Sequence, residues 1–147
     1  MWKEESTVSL ELTSHEQYLA LLNTLKHTTA YIAIVQINGH DAQDKIISLA
    51  ESCMQLIEKK HVCKWPGTIT RGRRAVQYLY KADKQFFKLL QDFPSFFFNR
   101  RDPWGCDLVE ETAFGQDDIA FLDKSRNLLF FTTTHEGCAY IERSLQR

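Results

Sequence analysis

Between Thr7 and Thr13 the apolar side chains Val8, Leu10 and Leu12 alternate with polar ones, the period of two that marks a half-buried strand. The period changes at Ser14. From there Tyr18, Leu21, Leu22 and Leu25 recur at helical spacing, and Ser14 followed by Gln17 three positions on is the signature of a capping box, so a helix starts at this point. The run Ala-Tyr-Ile-Ala-Ile-Val-Gln-Ile at residues 30–37 is almost wholly apolar and β-branched, the pattern of an interior strand covered on both faces. Asn38-Gly39-His40-Asp41 reads as a turn with Asp41 a candidate cap. A second helix then runs to about Lys60 and buries Ile46, Leu49, Ala50, Cys53, Met54 and Ile57.

Past this β-α-β-α portion, Pro66-Gly67 and Gly72 break regular structure, and residues 75–81 resume as a strand. Phe86, Leu89, Leu90 and Phe93 form the inward face of a short helix that ends before Pro94. A short strand is expected over residues 95–99. Residues 100–117 form the longest irregular stretch, and a loop of that length in a small chain is usually functional or mobile. The remainder predicts two strands joined by a polar turn over residues 123–127, then a third short strand at residues 138–142. The expected fold class is α+β: one compact domain over residues 1–147, with a mixed sheet and a C-terminal antiparallel meander.

Composition changes this picture little. The 147 residues are enough to bury about two thirds of the unfolded surface without staples, and the 44% hydrophobic and 25% charged fractions are ordinary for a soluble globular chain. The longest apolar runs fall far short of the ~20 residues of a membrane-spanning helix, and residues 1–13 contain no cationic segment leading into a hydrophobic one. A cytoplasmic protein without membrane contact or export signal is expected. Cys53, Cys63, Cys106 and Cys138 form no close pair in sequence and are read as free thiols. His61, Cys63, His135 and Cys138 could supply four zinc ligands, but their spacing matches no common structural site, so neither a metal nor a cofactor is expected.

Charge is more informative, because the formal net charge of -1 conceals a separation along the chain. Residues 59–88 hold nine Lys or Arg against the single acid Asp83, whereas residues 102–123 hold seven acids and no Lys or Arg. Such asymmetry bears on partners and encounter rates. In the acidic stretch, Asp102, Asp107, Glu110, Glu111, Asp117 and Asp118 accompany Trp104, Leu108 and Phe114, which combines steering charge with apolar anchors. A protein partner with a basic surface is the expected target, because clustered carboxylates imitate a run of phosphates; a nuclease is such a partner.

Two other chemistries compete with that reading. The segment Thr132-Thr133-Thr134-His135-Glu136-Gly137 carries a His-Glu pair, but on a continuing strand the two side chains point to opposite faces, and in a turn both stand in water. A small metal-assisted or hydrolytic enzyme would instead have to assemble His135 with Asp118 and Asp123, or with Thr133. A single-stranded nucleic-acid binder would use Arg71, Arg73 and Arg74 with Trp65, Tyr78 and Tyr80 for stacking. The aromatic residues of that set fall at strand period, as core residues do, and the chain lacks the net basic charge of a nucleic-acid protein.

The C-terminal third, with Asp-Asp-Ile-Ala-Phe-Leu-Asp, a polar turn and then Asn-Leu-Leu-Phe-Phe-Thr-Thr-Thr-His-Glu-Gly, resembles the compact immunity proteins with which bacteria neutralise toxins carrying nuclease domains. That resemblance implies a non-enzymatic antitoxin that inhibits a cognate toxin, and assigns no binding residue by name.

Overall fold

A computed structural model describes residues 6–37, 45–67, 75–101, 104, 107–110 and 117–145. The elements run β1 (Thr7–Ser9), α1 (His15–Thr28), β2 (Tyr31–Ile37), α2 (Lys45–Cys53), β3 (Gln55–Val62), β4 (Ala75–Lys81), α3 (Lys84–Gln91), β5 (Phe98–Arg101), β6 (Asp107–Glu110), β7 (Asp118–Leu122), β8 (Leu128–Thr133) and β9 (Cys138–Glu142). Seven strands make one sheet in the order β1-β9-β8-β7-β2-β4-β3, and β5 pairs with β6 as a separate hairpin. The fold is α+β. Every described pairing is antiparallel, so the sheet is not the mixed one expected. The β-α-β-α portion does not produce a parallel pair because β1 docks on β9 at the far edge instead of beside β2.

α1 begins as its sequence demands. Ser14 accepts a hydrogen bond from the Gln17 backbone N–H at 3.2 Å, while Gln17 Oε1 reaches past the cap to accept from Thr13 N at 2.8 Å. α3 is capped by Asp83, which accepts from Gln85 N at 2.8 Å. Tyr18 donates its hydroxyl to the Leu90 carbonyl at 2.6 Å, tying α1 to α3. The three helices cover one face of the sheet. Beneath them Phe96, Phe121 and Phe130 meet at centroid distances of 5.5 to 6.2 Å with tilted and edge-to-face rings, and Ile32, Ile34, Tyr78 and Tyr80 extend this core.

The second face carries Ala33, Leu79, Ala120, Leu122, Leu128 and Phe131, with Tyr140 stacked on Phe131 at 4.9 Å. It is apolar as well, which explains why β2 reads as a continuous hydrophobic run rather than an alternating one.

Two elements depart from the sequence pattern. The helix expected to reach Lys60 stops at Cys53, and residues 55–62 become edge strand β3, paired along all of β4. Helix-forming residues yield here because continuing the helix would leave the outer backbone of β4 unpaired above buried side chains. The strand keeps the marks of an exposed edge: a register shift at Ile57, Lys59 and Lys60 in solvent, and a Glu58–Lys60 ion pair at 3.0 Å. The second departure lies in the expected loop of residues 100–117, where residues 98–101 and 107–110 pair as the β5–β6 hairpin. The expected turn at residues 38–41 lies outside the described residues.

Candidate partner-binding site

The antiparallel register brings several segments to one end of the sheet. Val62 and Ala75 pair there, Asp118 lies opposite Val35, and Thr133 lies opposite Cys138. Asp117, the Trp65 segment and the turn at residues 134–137 therefore meet around the start of β7.

Their meeting point is the Asp118 carboxylate. Trp65 Nε1 donates to Asp118 Oδ2 at 2.8 Å, and the Thr134 backbone N–H donates to Asp118 Oδ1 at 2.8 Å. The backbone ladder between β7 and β8 ends at Ala120 and Phe131, and side chains take over from there. Ile119 N donates to Thr132 Oγ1 at 3.2 Å, Thr132 and Thr134 hydroxyls bond each other at 2.9 Å, and Thr134 Oγ1 donates to the Asp117 carbonyl at 2.6 Å. The threonines before His135 thus serve as substitutes for main-chain pairing where two strands diverge. Asp117 and Asp118, at 2% and 4% exposure, are interior groups, and the Asp118 carboxylate is engaged inside the fold rather than offered to a partner.

The other docking candidates stand apart from that network. Trp104 lies between the two hairpin strands and is 85% exposed, the most exposed large apolar side chain among the described residues. Asp107 and Glu110 are the first and last residues of β6; the register sets Arg101 opposite Asp107 and Phe98 opposite Glu110. Asp102 and Glu111 lie outside the described residues.

The competing sets assemble only in part: His135 follows Thr134, whose N–H bonds Asp118, but Asp123 stands apart. Asp118 opens β7 and Asp123 follows its last residue, which separates them by about 17 Å at strand rise. Asp123 is occupied in its own turn, accepting from Ser125 N at 2.9 Å and Asn127 N at 2.8 Å. His135 falls in a 3-10 turn, Thr134–Glu136, closed by Gly137 in the left-handed conformation at φ 67°. His61 and Cys63 belong to the β3 edge whereas Cys138 opens β9, five strand spacings or about 24 Å away, so the four zinc candidates cannot converge. Trp65, Tyr78 and Tyr80 are core residues and present no ring for base stacking, and Arg71, Arg73 and Arg74 lie outside the described residues. Cys53, Cys63 and Cys138 are free thiols, with burial pushing the Cys53 thiol up from its ordinary pKa; Cys106 lies outside the described residues. No described helix is long and apolar enough to cross a membrane.

The Trp65–Asp118 bond was not evident from the local pattern. The signal was present in kind, since a Trp in a predicted strand-and-turn core needs a partner for its indole N–H, but the acceptor lies 53 residues away. Comparison of the chain with protein-family models, curated proteins and solved structures finds no match, so the site is read from its own geometry alone.

Proposed function

We propose that the chain is a non-enzymatic, cytosolic protein-binding module of the immunity type, which inhibits a cognate toxin by placing its acidic hairpin region against a basic surface. A nuclease is the natural class of toxin, because its active site is built to receive phosphates. The observation that carries this reading is the 85% exposure of Trp104 on the hairpin whose flanking chain holds Asp102, Asp107, Glu110 and Glu111. A solvent-exposed indole loses favourable burial that a partner would restore, and carboxylates close to it in sequence would steer encounter with a cationic face. The position of Asp123 at the opposite end of β7 from Asp118, and the commitment of the Asp118 carboxylate to Trp65 and Thr134, weigh against an enzyme built on these acids with His135.

A toxin gene is expected beside this one; the test is to purify the toxin domain that gene would encode and assay its nuclease activity with and without this protein. Trp104→Ala should weaken binding by about 2 kcal/mol or more, acting through faster dissociation, as expected for a desolvated aromatic anchor. A toxin domain left fully active by the wild-type protein, or inhibited equally well by Trp104→Ala, would sink the reading.

A further inference from the structure

Away from the hairpin, the second face of the sheet holds a cavity of about 210 Å³. Half-buried Val62, with Leu79 and Leu122 beneath it in the core, supplies its apolar part; Lys60, Lys64 and Arg126 contribute three cations and Glu58 one carboxylate. Glu58 is held by Lys60 at 3.0 Å, and among the described residues Lys64 and Arg126 have no carboxylate partner. A chain of net charge -1 thus lines one small, partly apolar hollow with a local excess of two positive charges.

The backbone at Arg126 is held by its turn. Its φ of 64° is the one left-handed value at a non-glycine residue among those described, a conformation that costs an L residue of this size about 1–2 kcal/mol. The turn sustains it: Arg126 N donates to the Asp123 carbonyl at 2.9 Å, and Asp123 N donates to the Asn127 carbonyl at 3.0 Å. The guanidinium rests 5.1 Å from the centroid of the Tyr31 ring. The ring contact orients the guanidinium and reduces the freedom it would lose on meeting a ligand.

We propose that this cavity binds a small phosphate monoester carried on a compact apolar group. Two uncompensated cations match the roughly -1.5 to -2 charge of a phosphate monoester near neutral pH, where a carboxylate would leave one cation unmatched. Val62 and the edge of Leu79 receive the organic part. The volume lies below the ~300–1,000 Å³ of pockets for drug-sized ligands, which restricts the occupant to something near one ring or a short chain.

Titration of the isotope-labelled full chain with phenyl phosphate, benzoate and inorganic phosphate, followed by amide NMR shifts at physiological ionic strength, tests this. Phenyl phosphate should give saturable shifts centred on Lys60, Lys64, Leu79 and Arg126 with Kd below ~1 mM, and benzoate and inorganic phosphate should each bind at least about tenfold more weakly. Lys64→Gln and Arg126→Gln should each raise Kd about tenfold; Lys64 is exposed on the chain after β3, so that variant reports binding without disturbing the turn. Shifts that never saturate, that centre elsewhere, or that survive both substitutions would overturn the proposal. So would inorganic phosphate or benzoate binding as tightly as phenyl phosphate.

Discussion

Asp118 accepts two N–H donors from places far apart in sequence, so the consequence of losing it can be stated from its partners. Asp118→Ala leaves the Trp65 indole N–H and the Thr134 backbone N–H buried without their acceptor, and should cost about 3 kcal/mol in denaturant unfolding. A cost under ~1 kcal/mol would mean that water replaces the carboxylate without penalty. Two buried tyrosines give a sharper contrast. Tyr18 donates to Leu90 O, whereas the Tyr80 hydroxyl has no partner among the described residues. Tyr18→Phe should therefore destabilise by about 1–2 kcal/mol, and Tyr80→Phe should be close to neutral or stabilising. Burial raises both phenols above their ordinary value of 10.0, so on alkaline titration the unfolded chain releases these protons first. Their contribution is fully present below pH 10 and is lost as pH rises through the folded-state values. Wild-type stability should fall steeply above pH 10, and the double Tyr→Phe variant should show a shallower decline.

Among the elements, the segment 63–67 lies on β8 closely enough that its glycine cannot be replaced. Gly67 has φ +84°, and a Cβ there would collide with Thr133 Cγ2 and stand 3.1 Å from Phe131 Cε2. Gly67→Ala should lower stability by about 2 kcal/mol or more, since the strained φ and the contact with two buried side chains add; thermal unfolding checks this, and an unchanged Tm would contradict it. The elements that the sequence announced are those whose evidence is local. Ser14 and Gln17 mark the start of α1, Phe86 and Leu90 form the buried face of α3, the apolar run at residues 31–37 is the central strand β2, and β7, β8 and β9 form the expected meander. What escaped depends on partners distant in the chain. Ile57 sits at helical spacing from Met54 and Cys53, yet its strand is decided by the exposed edge of β4. The acidic stretch was visible as charge, but nothing local distinguishes Asp117 and Asp118, absorbed by the fold, from the carboxylates nearer Trp104.

For the molecule as a whole, the separation of charge along the chain sets how it should meet a partner. If the acidic hairpin region docks into a basic cleft, raising salt from low to physiological should slow association many-fold while dissociation changes much less. Glu110→Lys with Glu111→Lys should cost several kcal/mol if those carboxylates are desolvated against cations, and under ~1 kcal/mol if they lie on an exposed rim; stopped-flow and calorimetry read the two quantities separately. Binding by the charge-reversed chain as tight as wild type would move the interface elsewhere. The sheet has a separate implication for how the protein comes into being. Thr7 pairs with Glu142, and the central strand β2 has β4 on one side and β7, contributed by residues 118–122, on the other. At roughly 5–20 residues per second of synthesis, the apolar strand β2 waits on the order of ten seconds for its second neighbour, and β1 waits longer still for β9. During that interval the nascent chain carries an unpaired hydrophobic strand, so its yield in a cell should depend on chaperone capacity more than its equilibrium stability alone would indicate.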